Sequence, residues 1–346
     1  VGNTNSFYID NLYFWKAPTT TWAGTDRDFN NASNWSSGSV PGVNDHAIIP
    51  SDGVFDITED LTVNKMSIAA GASIISDGTI SGTITYTRNI PTTNWYLISS
   101  PVDGQDMDDF VNASNLATGQ GANVGFADYD NSTGAWSYYQ SGTTGSGPFT
   151  QGQGHPVKLN AAGDVVFTGT FNAADANIPV TTGTNNGYNL VGNPYLASVS
   201  VGELLGQTNI DALLSQLTVW LWDQASESYV TKNIAADFEI APGQAFFVSA
   251  KTEGSFGISE SMQSHSSDSF QRTTSKPEVV LNLSNGKDSR TASVFYIDGA
   301  TTGFDNGYDS SIFGGFSNDF SLFTHVVADG SGRNLGIQSL PKGDYQ

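Results

Sequence analysis

The feature that most constrains the fold is an internal repeat, which relates two stretches of the chain at an offset of 91 to 93 residues. Three blocks match in the same order, and the middle match, the loosest, places Trp136 opposite Tyr229. Each copy is predicted to contain a strand, a turn that ends in proline, a variable insert, a hairpin and a closing strand. We expect the copies, 88–180 and 181–259, to pair into one sandwich or pseudo-symmetric barrel. The matching blocks are 95–102 with 188–195, 124–130 with 217–223, and 152–158 with 243–249.

The acidic residues indicate the fold class, because 27 of the 34 are Asp and only 7 are Glu. Glu favours helices, whereas Asp competes with the backbone for hydrogen bonds and prefers caps and turns. Aromatic residues make up 12% of the chain, and they favour strands. The sequence therefore predicts an all-β protein of β-sandwich modules with one or two short helices. The helices are expected at 106–113 in copy 1 and at 201–217 in copy 2, the second being the longer.

The segments around the repeat divide the chain further. Residues 1–17 are interpreted as the last strand of a preceding domain followed by a linker. Residues 18–87 contain short strands separated by glycines, which predicts a small β unit, either a few rungs of a solenoid or a small sheet stacked on the next domain. Residues 260–277 are rich in Ser, Thr, Gln and Asp and are predicted to be a linker. Residues 278–346 form a last β-sandwich unit, which we expect to be truncated at its end.

Charge and cysteine content exclude several classes of partner and site. A formal net charge of −21 argues against nucleic acid or anionic lipid as a partner. No stretch approaches the roughly 20 apolar residues that a membrane helix needs. The chain has no cysteine, so it has neither disulfides nor a thiolate site. An acidic, cysteine-free chain rich in Asp and Asn is typical of exported bacterial proteins, so we expect an extracellular or outer-surface location.

Three motifs resemble segments of cargo proteins of the bacterial type IX secretion system. They are the Asn-Trp motif at 31–41, the block Asn-Leu-Val-Gly-Asn-Pro-Tyr at 189–195, and the Asp-rich segment at 298–309. The resemblance implies a non-catalytic region just before a C-terminal sorting domain, which would follow Gln346 and engage the secretion and anchoring machinery. Residues 7–14 are similar to the final strand of jelly-roll domains. Many such cargo proteins degrade polysaccharides, but these motifs carry no information on activity.

The residues offer little catalytic chemistry. His46, His155, His265 and His325 are far apart in sequence, and no zinc motif links them. The acids at 106–109 and at 128–130 are candidates for a glycosidase pair, but a helix start and a hairpin turn explain them better. Calcium is the candidate cofactor, because Asp298, Asp305 and Asp309 flank a Gly-containing loop. The alternative for that loop is simple turn chemistry at Asn306-Gly307.

Exposed aromatic rings would suit a glycan partner. The candidate platform residues are Trp136, Tyr138, Tyr139, Trp22 and Trp35. Trp136 and Tyr138 share one face of a strand, so a core role is the alternative for them. Trp220 and Trp222 share that pattern and are predicted to lie in the core.

These observations favour a non-catalytic extracellular module that acts as a spacer or stalk and binds a polysaccharide or surface glycan. One alternative is a surface adhesin that binds a protein or a cell, which a broad exposed apolar patch would favour. A second is a polysaccharide hydrolase or lyase with an unrecognised site. Two close carboxyl groups in a cleft, one with a raised pKa, would favour that enzyme.

Overall fold

A computed structural model describes residues 17–265, 277–314, 320–326, 328 and 332–343. Strands dominate it, which confirms the all-β prediction. Within these residues the helices are short, and none is long and apolar enough to cross a membrane. The helices are α1 (Met107–Ala113), α2 (Val201–Leu205) and α3 (Ile210–Leu213), with 3-10 turns at Ala32–Asn34, Ile234–Ala236 and Glu260–Met262.

The first unit is a β-solenoid built from two parallel sheets. In one sheet β2 pairs with β1 and β4, and β4 pairs with β6, while β3 pairs with β5 in the other. Ile48 lies opposite Ser67, which lies opposite Thr85, so a turn takes 18 or 19 residues. The strands are β1 (Thr19–Thr21), β2 (His46–Ile49), β3 (Val54–Ile57), β4 (Leu61–Ile68), β5 (Ser73–Ser76) and β6 (Ile80–Ile90).

Strand β6 joins the solenoid to copy 1 of the repeat, and it runs through the predicted boundary at 87/88. One edge of β6 pairs with β4 in parallel, and its other edge pairs with β12 antiparallel, along Gly163 to Gly169 of β12. Apolar residues of both units pack into one core cluster, which extends from Phe55 in the solenoid to Phe167 in β12. The copy 1 strands are β7 (Tyr96–Ser99), β8 (Val102–Asp103), β9 (Asn123–Asp130), β10 (Ala135–Gln140), β11 (Gly154–Val157) and β12 (Gly163–Phe171).

Copy 2 repeats the arrangement of copy 1. The strand order β10-β9-β11-β7 in copy 1 corresponds to β17-β16-β19-β14 in copy 2. The register agrees with the sequence repeat, because Ser99 faces Gly154 and Gly192 faces Ala245. The copy 2 strands are β14 (Tyr188–Gly192), β15 (Ser198–Ser200), β16 (Val219–Asp223), β17 (Ser228–Lys232), β18 (Glu239–Ile240), β19 (Ala245–Ser249) and β20 (Gly254–Ile258). Two strands outside the predicted bounds of copy 2 also pair with it: β13 (Ala176–Val180) pairs with β20, and β21 (Gln263–Ser264) pairs with β15.

Two details of copy 2 differ from the sequence prediction. The prediction of a single long helix at 201–217 is wrong, because the chain forms the two short helices α2 and α3 there. Helix α2 ends at Leu205 with Gly206 as its C-cap, and Asn209 then adopts a left-handed conformation, which interrupts the helical hydrogen bonds. The first residues of the predicted linker are also ordered, since 260–264 form a 3-10 turn and β21, which pairs with β15.

A shared aromatic cluster joins the two copies. The rings of Tyr129 and Phe247, one from each copy, lie 5.0 Å apart edge to face. The cluster also contains buried Leu97 from copy 1 and buried Leu190 and Trp220 from copy 2. The copies therefore share a core, as expected for paired sandwich halves.

The C-terminal unit is a small mixed sheet of order β22-β23-β26-β24, with β25 paired to β26. Residues 306–314, here called the docking segment, attach it to copy 2. Trp220 Nε1 donates to the Ser311 carbonyl at 3.0 Å, and the backbone N–H of Leu217 donates to Asn306 Oδ1 at 2.9 Å. The strands are β22 (Glu278–Ser284), β23 (Ser289–Ile297), β24 (Ser310–Ser311), β25 (Thr324–His325) and β26 (Asn334–Pro341).

Candidate functional site

Each of the three candidate calcium ligands makes contacts within the protein, and calcium binding there stays a prediction. Asp298 is exposed and pairs with Lys342 at 2.8 Å. Asp305 accepts hydrogen bonds from the N–H and hydroxyl of Thr301. Asp309 is fully buried and accepts the backbone N–H of Ser339 at 2.6 Å. Across the described part of the chain, no group of three or more His, Cys, Asp or Glu side chains is placed to hold a metal ion.

Trp22 and Trp35 are core residues, so their assignment to a sugar platform is wrong. They are 2% and 3% exposed, and their rings contact each other at 5.4 Å. Trp22 also contacts Phe55 of β3 at 4.7 Å, and Trp35 contacts Phe29 at 5.0 Å. These rings pack on the solenoid core, and their faces are closed to a pyranose ring.

The other three platform candidates lie on two faces of β10. Trp136 is half-buried in the shared cluster and contacts Tyr129 at 5.0 Å. Tyr139 points to the opposite face, where burial and the nearby Asp128 carboxylate raise its pKa to about 12. Tyr138 is 41% exposed and lies 6.0 Å from Trp95, whose ring also faces the Lys158 amine at 5.7 Å. Of the three rings Tyr138 is the most exposed, and it lies beside the half-buried Trp95.

A buried polar group in copy 1 has no counterpart in copy 2. His155 is 1% exposed, its Nδ1 lies 2.9 Å from Asp128 Oδ1, and its ring stacks on Phe126 at 5.0 Å. By the register of the repeat, His155 corresponds to Phe246 and Asp128 to Leu221, both fully buried. The fold therefore builds the same position with apolar residues alone.

We expect His155→Phe to change the free energy of unfolding by less than about 1 kcal/mol, because phenylalanine already occupies the equivalent position. His155→Ala should lower it by about 2 kcal/mol, since it leaves a cavity. Urea denaturation of both variants measures this. If His155→Phe lowered the free energy of unfolding as much as His155→Ala does, the polar pair of His155 and Asp128 would itself stabilise copy 1.

A cavity lies between copy 2 and the C-terminal unit. The β16–β17 hairpin forms one wall and the β22–β23 hairpin the other, around about 820 Å³. The Arg290 side chain links the two walls, because one of its guanidinium nitrogens donates a hydrogen bond to the Ser226 carbonyl at 3.1 Å. We call this feature the inter-unit cleft, and define it by Trp222, Tyr229, Lys232, Glu278, Arg290 and Phe313.

Aromatic rings line the copy 2 side of the inter-unit cleft. Tyr229 stacks on Phe313 of the docking segment at 4.0 Å, with an interplanar angle of 26°. Trp222 meets the Tyr229 ring nearly edge-on at 5.0 Å. Trp222 and Tyr229 are each only half-buried. Burial raises the pKa of Tyr229, so its hydroxyl stays protonated at neutral pH.

The charges around the inter-unit cleft are balanced, unlike those of the whole chain. Three acidic and three basic side chains line it, whereas the chain as a whole carries 34 acidic and 13 basic residues. Burial lowers the pKa of Lys232, and the Glu278 carboxylate partly offsets this. A neutral ligand therefore meets no strong field of one sign here. The six residues are Asp223, Glu227, Glu278, Lys232, Lys287 and Arg290.

The carboxylates do not resemble an acid–base pair. The described carboxyl groups with a clearly shifted pKa are Asp26, Asp108 and Asp130, and each is lowered, chiefly by side-chain hydrogen bonds. Asp106 caps α1 by accepting the N–H groups of Asp108 and Asp109, as the sequence predicted. Asp223, in the inter-unit cleft, accepts from Ala225 N–H and Ser226 Oγ in its own turn. These contacts are those of turn and helix-cap acids.

The sequence named Tyr138 as a platform candidate, but it did not point to Trp95 or to the aromatic rings of the inter-unit cleft. Trp222 was assigned to the core with Trp220, and only Trp220 is fully buried. Trp95 begins the repeat block 95–102 and is not one of the predicted platform residues. The exposed face of Trp222 arises because β17 is the edge of its sheet and the C-terminal unit approaches that edge without closing it.

Comparison with known proteins gives one match. The family described as "Domain of unknown function (DUF8693)" matches residues 55–339, which include the later strands of the solenoid, both copies and both walls of the inter-unit cleft. No curated protein and no solved structure matches the chain.

Proposed function

The chain belongs to the family of domains of unknown function DUF8693, and we propose that it is a non-catalytic module of a secreted or cell-surface protein that binds a glycan in the inter-unit cleft. The observation that carries the proposal is the cleft itself, with half-buried Trp222 and Tyr229 beside balanced charges. Ligand sites typically combine such aromatic surface with a few polar groups in a concave setting.

The spacer part of the proposal rests on how the units are joined. A shared strand and a shared core connect the solenoid to copy 1, and the aromatic cluster connects copy 1 to copy 2. The docking segment then holds the C-terminal unit on copy 2. Joints made of packed cores resist bending more than flexible linkers do. A chain built this way fits a role in holding neighbouring domains at a fixed separation.

The extracellular location is supported by composition and by the motif resemblance. An acidic chain without cysteine suits a protein that stays soluble outside the cell. Type IX export stays part of the proposal, and the Asp-rich segment that resembles its cargo proteins includes residues of the docking segment. Surface labelling of the native bacterium with an antibody against this chain tests the location, and a signal found only after lysis would contradict it.

The binding proposal predicts that the purified chain is retained by at least one polysaccharide in a panel of soluble and insoluble glycans. Trp222→Leu should weaken that retention by about tenfold, because it removes the aromatic face but keeps an apolar side chain. Affinity electrophoresis and pull-down measure the effect, with and without a chelator. Calcium should be dispensable, since the Asp-rich loop holds no cluster of ligands.

Tyr129→Leu is the matched control, because Tyr129 is the copy 1 equivalent of Trp222 and is also half-buried. Because Tyr129 is buried to a similar degree, this variant should lower the free energy of unfolding about as much as Trp222→Leu does. Because Tyr129 lies outside the inter-unit cleft, glycan retention should be unchanged. If both variants lost glycan retention equally, the effect would come from reduced stability, and this would contradict the assignment of the glycan site to the inter-unit cleft. Release of reducing ends from the retained glycan would contradict the non-catalytic part.

A further inference from the structure

Strand β22 at the edge of the C-terminal unit is unusually apolar and exposed. All seven of its residues, Glu278–Ser284, are exposed. Of the eight large hydrophobic side chains that are exposed in the described part of the protein, four lie on this strand. Their exposed fractions are 45% for Val279, 46% for Val280, 39% for Leu281 and 37% for Leu283.

The free edge of β22 lacks the features by which proteins block strand pairing. Among the described residues, β22 pairs with β23 alone, in a continuous register from Glu278–Phe295 to Ser284–Ser289. The strand contains no proline, no lysine and no bulge. Edges of this kind offer unpaired backbone groups to another strand, and natural proteins usually protect them.

We propose that β22 is the interface through which two copies of this chain form a symmetric dimer, with the two β22 strands paired antiparallel across a two-fold axis at Leu281. In that register Leu281 faces Leu281 of the second copy, Val279 faces Leu283, and Glu278 faces Ser284. Aliphatic side chains therefore meet on one face of the joined sheet, and no carboxylate lies opposite another carboxylate.

Charge complementarity favours a second copy as the partner. Glu278 begins the strand, and Lys287 lies in the turn just beyond its other end. Antiparallel pairing brings Glu278 of each copy to the end of the strand that carries Lys287 of the other. The strand itself has a single carboxylate in a chain of net charge −21, so this is a place where two copies can approach without strong repulsion.

The dimer is expected to be weak and independent of glycan. One pair of seven-residue strands buries less than the roughly 1,200 Å² of a stable complex, so association should depend on concentration. Val279, Leu281 and Leu283 lie outside the inter-unit cleft, whereas Glu278, Val280 and Lys287 line it. Substitutions at Leu281 thus test the interface without altering the cleft.

The test is sedimentation velocity of the purified full chain across a wide concentration range, without glycan. The wild type should move from monomer towards dimer, and Leu281→Lys should weaken association by about tenfold or more, because two lysines then face each other. Val166→Lys is the control, since Val166 is 40% exposed on β12, far from this edge in sequence, and should leave association unchanged.

Circular dichroism should show that both lysine variants keep the wild-type fold. Hydrogen exchange at high and low concentration should show protection of β22 amides that grows with concentration. A wild type that stays monomeric throughout overturns the proposal, and so does a dimer that Leu281→Lys leaves intact. Growth into larger oligomers overturns it too, because two-fold pairing closes after two copies.

Discussion

Replacing Phe313 with alanine should detach the C-terminal unit from copy 2 and lower the free energy of unfolding by about 3 kcal/mol. Phe313 lies 4.0 Å from Tyr229, 4.4 Å from Tyr188 and 5.1 Å from Phe247, ring centroid to ring centroid. Its removal leaves a cavity where the docking segment enters the aromatic cluster. The inter-unit cleft should lose its shape, so glycan retention should fall as well.

Urea denaturation and limited proteolysis measure these effects. We expect the variant to be cut between copy 2 and the C-terminal unit under conditions in which the wild type resists. Tyr308→Ala is the control on the same segment, because the Tyr308 side chain is 37% exposed and its carbonyl makes the contact to Asn233. The two variants would behave alike only if the ring of Phe313 did not anchor the segment.

Gly82→Ala should lower the free energy of unfolding by about 3 kcal/mol or more. Gly82 lies in β6 with a φ of +133°, which side chains rarely adopt, and an added Cβ would collide with the Val63 carbonyl oxygen. The register of β4 and β6 shifts at this point, between Thr62 and Lys65. Because the solenoid and copy 1 share β6 and a core, both should lose stability together.

Gly163→Ala provides the matched control in the neighbouring strand β12. An added Cβ there would have its nearest neighbour at 3.9 Å, so the change should stay within about 0.5 kcal/mol. Thermal unfolding followed by circular dichroism compares the variants. An early separate transition of the solenoid in Gly82→Ala would contradict a shared core, and equal effects of the two variants would contradict the strain at Gly82.

The sequence predicted the features that depend on local pattern. The offset of 91 to 93 residues predicted two copies with matching strands, and the register of Ser99 and Gly192 agrees with it. Short strands between glycines predicted a small β unit, with a solenoid as one of two forms, and the acids at 106–109 predicted a helix start, which is where α1 begins. Each of these follows from the residues of one segment, because hydrophobic periodicity and capping act over a few positions.

The features that depend on tertiary packing could not be predicted. Trp22 and Trp35 border a polar loop in sequence, yet Trp22 is buried against Phe55 and Trp35 against Phe29. The inter-unit cleft combines residues of β17 with residues of β23, some 60 positions later, and no local pattern connects them. The exposure of Trp222 likewise depends on where a distant unit docks.

Hydroxyl-radical footprinting of the chain, with and without a glycan that it retains, tests the central claim most directly. Binding in the inter-unit cleft predicts protection of Trp222 and Tyr229, with no change at Trp95 and Tyr138 on the copy 1 surface. Protection of Trp95 and Tyr138 instead would place the glycan on copy 1 and contradict the account, and protection of neither pair would contradict it as well.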